Sequence, residues 1–224
     1  MCGRYTLTLP LSILVDAFDV PPPEFEFAPR YNIAPTQDVP VVAEDEAGRR
    51  MGLLRWGLVP FWADDPSVGN RLINARSETV AEKPAFRGPF RRRRCLVPAD
   101  GFFEWRKEEG GRKTPFWIRL ADQEVFTMAG IWDRWEGDDG EALYTFSILT
   151  TDAAPEIASI HPRMPLVLPP SRRDAWLDPS SAPDDLLPLL EPERDMELAF
   201  RPVSTVVNSP GNDRPECIEP LDEG

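Results

Sequence analysis

The chain has 224 residues, 42% of them hydrophobic and including seven Trp and twelve Phe, which suits one packed unit over residues 1–224 with a substantial core. Its three cysteines, Cys2, Cys95 and Cys217, are odd in number and far apart, which argues against a disulfide framework and gives no metal-ligand spacing, so neither metal nor cofactor is expected. A net charge of −13 argues against binding polyanions by overall charge. With no run of roughly 20 apolar residues and no signal-peptide pattern, a cytoplasmic monomer without a membrane partner is expected.

In chain order, a short N-terminal strand leads to Leu11, Leu14, Val15 and Phe18, whose i, i+3, i+4, i+7 spacing predicts an amphipathic helix over 10–18, ended by Pro21 to Pro23. Short segments rich in β-branched and aromatic residues follow at 39–42, 52–58, 95–97, 102–105, 116–120, 125–132 and 143–150, separated by Gly, Pro or charged turns. Helices are expected at 77–82, 152–160 and 171–177, each opening near a Ser or Asp able to cap it. A further helix at 184–190 is interrupted by Pro188, and a β segment at 197–207 precedes a Pro-rich tail expected to run extended and fray. The elements describe an α+β protein with a mostly antiparallel, strongly curved sheet and short flanking helices. There is no internal repeat and no dinucleotide or phosphate-loop glycine pattern.

Charge is unevenly spread. Residues 71–94 hold Arg71, Arg76, Lys83, Arg87 and the run Arg91 to Arg94 against only Glu78 and Glu82, whereas Asp184, Asp185, Glu191, Glu193 and Asp195 concentrate acid near the C-terminus. The arginine run reads equally as a solvated surface strand or loop and as an anion-binding patch.

Cys2 carries the most chemical information. A small residue after Met1 permits removal of the methionine, which leaves an α-amine and a thiol on neighbouring atoms, with ordinary pKa values of about 8 and 8.5. Such an aminothiol condenses with an aldehyde to an imine, and the thiol then closes a five-membered thiazolidine, helped by proximity. Taken alone, Cys2 reads more readily as an inert buried cysteine. His161 is the only histidine, so imidazole chemistry has to occur there.

The opening Met1-Cys2-Gly3-Arg4-Tyr5 continues into Arg30-Tyr31-Asn32-Ile33-Ala34-Pro35-Thr36, Arg55-Trp56-Gly57-Leu58-Val59-Pro60 and Ile73-Asn74-Ala75-Arg76-Ser77-Glu78-Thr79. Then come Ala99-Asp100-Gly101-Phe102-Phe103-Glu104-Trp105, Ile160-His161-Pro162-Arg163-Met164-Pro165 and Val207-Asn208-Ser209-Pro210. This succession, spanning nearly the whole chain in order, resembles the SOS response-associated peptidase (SRAP) family, abasic-site sensors that form DNA–protein crosslinks. The resemblance implies a barrel-like sheet and a partner in single-stranded DNA carrying abasic sites, with the protein found on the nucleoid when bound. It implies Cys2 as nucleophile, Asn74 as the side chain that holds it, Glu104 and His161 as the proton-transfer pair, and Arg76 and Arg163 as phosphate clamps. Arg4 offers a further guanidinium fork, and Trp62, beside Phe61 in a loop, a stacking surface. Asn74 could instead cap a helix near Ser77, and Glu104 could be an outward-facing strand residue. Three other activities use the same residues: a thiol peptidase that removes Met1 from its own chain, a noncovalent single-strand binder, and a β-elimination lyase.

Overall fold

The structure, a computed structural model, describes residues 2–138, 140–193 and 196–221; Met1 and Asp195 lie outside the described residues. In chain order the elements are β1 (Tyr5–Leu7), α1 (Leu11–Phe18), β2 (Arg30–Ile33), β3 (Asp38–Asp45), β4 (Gly48–Trp56), β5 (Asn74–Arg76), α2 (Pro84–Arg92), β6 (Arg94–Ala99), β7 (Gly101–Lys107) and β8 (Lys113–Leu120). They continue with β9 (Phe126–Glu136), β10 (Ala142–Asp152), β11 (Arg163–Pro165), α3 (Pro170–Leu177), α4 (Pro183–Leu186) and β12 (Leu198–Pro202).

The strands pair in the order β10, β4, β3, β6, β9 and back to β10, so this part of the sheet closes into a five-stranded barrel, with β5 and β11 paired onto β10. The other sheet runs β12, β8, β7, β1, β2 and is antiparallel throughout. Only β4 and β5 run parallel to their neighbour β10. The α+β, mostly antiparallel, strongly curved architecture expected from the sequence is the one observed.

Trp56 and Asp100 both help to join the sheets. Trp56, fully buried at the end of β4, meets Tyr5 of β1 edge-on at 5.3 Å and stacks on Phe146 of β10 at 6.4 Å, while its Nε1 donates to the Ile73 carbonyl at 2.8 Å. Asp100 sits where the chain leaves the barrel after β6 and enters the other sheet at β7, and its carboxylate accepts from the hydroxyls of Thr6 and Thr8 and from the Thr8 amide. The next residue has to be glycine: a Cβ on Gly101 would lie 2.1 Å from Trp117 Nε1, which donates to Thr6 Oγ1 at 3.1 Å.

Successive side chains of β7 face opposite ways, so Phe102 enters the main core while Phe103 packs with Val203, Val207 and Cys217. The tail beyond residue 209 therefore does not simply run extended. It turns at Pro215–Cys217 and covers the second face of the sheet, held by Asp213, which accepts from the Arg30 side chain and from the amides of Tyr31 and Asn32.

Three further expectations are corrected. The segment 77–82 forms turns, and the helix starts only at Pro84, because the residue before a proline is driven extended, as Lys83 is with ψ 130°, and proline is at home in the first helical position. Residues 152–160 also turn rather than forming a helix: β10 continues through Asp152, Pro155 restricts Ala154, and the bonds that follow are short turns such as Ile157 N–H to Ala154 O. Helices α2, α3 and α4 open on Pro84, Pro170 and Pro183 with no side-chain cap, so proline geometry does the work expected of Ser and Asp. Gly101→Ala is expected to cost about 1–3 kcal/mol by displacing Trp117, read as a lower urea midpoint; an unchanged midpoint would mean that the Trp117 contact does not constrain the junction.

Candidate functional site

The site forms where the start of β1 meets the barrel strands beside β10. Cys2 is completely buried, and its Sγ lies 3.7 Å from the Arg4 carbonyl. Asn74 reaches it from β5, which is fixed from behind: Ile73 O accepts from Trp56 Nε1 at 2.8 Å and from the Ile148 amide at 3.1 Å. The Asn74 Nδ2 donates to the Cys2 carbonyl at 2.7 Å. Its Oδ1 is buried and finds no partner among the described residues, a state that costs about 1–3 kcal/mol unless a donor is supplied. Asn74 thus lies in a strand and caps no helix.

Glu104 is 3% exposed on β7, on the face of Phe102 and away from Phe103 and Trp105, so it is not an outward-facing strand residue. Burial raises its carboxyl above the ordinary range. The same burial, reinforced by the Glu104 charge, pushes the Cys2 thiol well above its ordinary value and keeps it protonated. The His161 Nδ1 lies 3.9 Å from Glu104 Oε1. It is also 3.1 Å from the Arg163 N–H and 3.0 Å from the Arg163 carbonyl, so one backbone residue offers a donor when Nδ1 is bare and an acceptor when it is protonated.

The structure thus gathers Cys2, Asn74, Glu104 and His161 at one place. The expected phosphate contacts divide. Arg76, on β5, is exposed, and no ion pair among the described residues engages it. Across β10, Arg163 is committed internally, to both oxygens of Glu78, to Asp152 at 2.7 Å and to the Thr150 carbonyl at 2.6 Å. Arg4 turns inward to Asn32 Oδ1 at 3.0 Å and the Val207 carbonyl at 2.8 Å, with its guanidinium 6.0 Å from the Trp105 ring centre. Trp62 is exposed and belongs to a separate part of the surface, bordering α2.

Sequence reasoning missed the residues that brace the site. Asn32 is fully buried, with Nδ2 facing the carbonyls of Val207, Ser209 and Asn212, and Asn208 accepts from Trp105 Nε1 at 2.8 Å. Both asparagines stand in the quoted motifs, where they could have been read as amides clasping loop backbone. The arginine run is also split: Arg94 is buried, donating to the carbonyls of Phe90, Trp176 and Asp178, and Arg93 pairs with buried Asp133.

A closed barrel braced by a second sheet is an arrangement found in other proteins. A crystal structure of a protein from Bacteroides thetaiotaomicron shares the fold with a TM-score of 0.86 at 28% identity, covering 98% of this chain and all of that one. Residues 1–210 match the family described as SOS response associated peptidase (SRAP), and the chain belongs to that family. It is 40% identical over 222 residues to the abasic site processing protein YoqW of Bacillus subtilis, covering 98% of this chain and 99% of that protein. It is 38% identical over 234 residues to the abasic site processing protein HMCES of Gallus gallus, covering 90% of this chain and 69% of the relative.

Because the folded pKa of Glu104 lies above its unfolded value, the stability linked to its protonated form is fully present below the unfolded value of about 4.3 and is lost as pH rises through the folded value. Glu104→Gln cannot ionise. It is expected to raise the urea midpoint at pH 7 and to leave it unchanged near pH 4, while equal midpoints at pH 7 would contradict a net burial penalty on the carboxylate.

Proposed function

We propose that the protein processes abasic sites in single-stranded DNA by covalent capture, with Cys2, made N-terminal by loss of Met1, as the reacting residue. The observation that carries this reading is Asn74: one end of its amide holds the Cys2 carbonyl, and the other keeps a buried acceptor within the same site. An α-ammonium group on Cys2 is the donor that such an acceptor calls for.

The chemistry follows from the neighbours. Ring-closed deoxyribose hides its aldehyde, so an acid must assist ring opening and a base must take a proton from the attacking amine, and the Glu104–His161 pair supplies both functions. The amine adds to the aldehyde carbon and water leaves, giving an imine. The thiol then adds across the C=N bond, sulfur to carbon and its proton to nitrogen, so that one water is lost overall. A thiol held protonated favours this order, with the amine reacting first. The same protonation disfavours a general thiol peptidase, which needs a thiolate at neutral pH.

Phosphates flanking the lesion are assigned to Arg76 and, beyond it, to Arg163 and Arg4, with Trp62 stacking on a base. Arg76 is available without rearrangement. Arg163 would share or exchange its bonds to Glu78 and Asp152, and Arg4 its bonds to the tail.

Incubation with a single-stranded oligonucleotide carrying one abasic site is expected to give a slow-migrating band on a denaturing gel that survives SDS and heat. The band should be absent with undamaged DNA and with Cys2→Ala. No band in low or molar salt, from protein shown by mass to begin at Cys2, would overturn the proposal.

A further inference from the structure

A cavity of about 260 Å³ opens into the barrel, lined by Val41, Ala43, Gly52, Leu54, Trp132 and Tyr144. Alternation places it inside. Leu54 stands two residues before Trp56 and Tyr144 two before Phe146, so both share the face on which Trp56 stacks against Phe146; Trp132 is the cross-strand partner of Phe146, and Gly52 that of Val41. The way in is a gap in the wall. Among the described residues β4 and β10 pair only at Arg55–Thr145 and Trp56–Phe146, so ahead of those pairs they part, and Leu54 and Tyr144 flank the opening. From Tyr144 to Ile148, the partner of Asn74, is four residues at about 3.3 Å each, roughly 13 Å along β10. The cavity is therefore separate from the Cys2 site.

Two features of its wall point to an occupant. Gly52 is a glycine in the middle of β4, and a Cβ there would meet only Leu54 Cδ1 at 3.7 Å, an ordinary contact. Gly101 and Gly130 are imposed by Trp117 and Cys95, whereas no neighbour imposes Gly52, and such a glycine in a strand marks the close approach of something else. Its missing side chain leaves the cavity open. The second feature is Trp132, whose ring lies 6.1 Å from that of Tyr144 at an angle of 42° and whose Nε1 is buried with no acceptor among the described residues. A buried donor without a bond is costly unless an acceptor is brought to it. The rim offers no uncompensated charge: Arg50 is bonded to both oxygens of Asp45, and Arg134, the partner of Tyr144, pairs with Glu136 at 2.8 Å.

We propose that this cavity binds a small, neutral, planar aromatic molecule, which packs against Trp132 and Tyr144 and accepts a hydrogen bond from Trp132 Nε1. Each property has a cause. At about 260 Å³ the space falls below the roughly 300 Å³ at which pockets for drug-sized ligands begin, so it suits one or two fused rings. Aromatic walls favour a flat partner. A charged ligand would lose its hydration to apolar walls and to rim cations already neutralised, and a molecule with several polar groups, such as a nucleobase, would leave most of them unpaired against a single donor. Tyr144, exposed at the entrance, is the side chain that yields to let the acceptor reach the buried Nε1. The cavity shares no residue with the Cys2 chemistry, so the proposal stands apart from that reading.

Quinoline, which is neutral at pH 8 and carries one ring nitrogen as acceptor, is the probe. The readout is the proton–nitrogen correlation spectrum of the tryptophan indoles, with the Trp132 peak identified by its loss in Trp132→Phe. Quinoline is expected to move that peak saturably with its proton shifted downfield, while naphthalene, of the same shape without an acceptor, moves it without the downfield shift. Gly52→Val fills the open space, and it should weaken quinoline binding on the order of tenfold or more while melting no lower than the unsubstituted chain. A Trp132 peak that stays in place up to the solubility of quinoline, a movement that never saturates, or equal affinity in folded Gly52→Val would overturn the proposal. Naphthalene reproducing the downfield shift would overturn the hydrogen bond on which it rests.

Discussion

The hydrogen bond from Asn74 to the Cys2 carbonyl is the contact on which the rest of the site depends, because it joins the two sheets where their chemistry meets. Cys2 leads into β1 of the five-stranded antiparallel sheet, and Asn74 belongs to β5, which is laid alongside barrel strand β10. Each side of the bond is braced from behind. Trp56 grips the carbonyl preceding Asn74, and Asp100 grips Thr6 and Thr8 beyond β1. Without these braces an eight-atom side chain could not fix the start of a polypeptide, where ordering entropy is least repaid by packing.

Strand β10 organises the remainder. Its eleven residues close the barrel against β9 and still extend far enough to carry β5 on one side and β11 on the other. Arg76 pairs with Thr150 and Arg163 with Asp152, so the two arginines flank the same strand end, and His161 stands two residues before Arg163. A single strand therefore spaces Asn74, Arg76 and Arg163, which is the kind of preorganisation that the proposed capture of an open-chain aldehyde calls for.

Local patterns made the strands legible, since alternation and Gly or Pro punctuation locate β3, β4 and β6 to β10, with ends that miss by up to four residues. The three-residue strands β5 and β11 were not legible, because they exist only through pairing with β10. Proline explains the helix errors: Pro84 delayed α2, and Pro155 broke the segment after β10. Of the site, the four central residues were legible through their motifs, but the motifs mix chemistry with architecture. In Ala99-Asp100-Gly101-Phe102-Phe103-Glu104-Trp105, Asp100 locks β1, Gly101 admits Trp117, and Glu104 lies beside His161. The arginines were least legible, because pairing in space decides their state. Arg94 serves carbonyls, Arg163 serves carboxylates, and Arg87, Arg91 and Arg92 serve none within the described residues.

The central claim is that Cys2 reacts through both its amine and its thiol, and the mass of the N-terminal peptide tests it most directly. After capture of an abasic oligonucleotide, nuclease trimming and trypsin digestion, the account predicts that Cys2-Gly3-Arg4 carries the sugar with loss of a single water and resists thiol alkylation. An adduct on Lys83, Lys107 or Lys113, or a Cys2 peptide that carries the sugar yet still alkylates at sulfur, would contradict it.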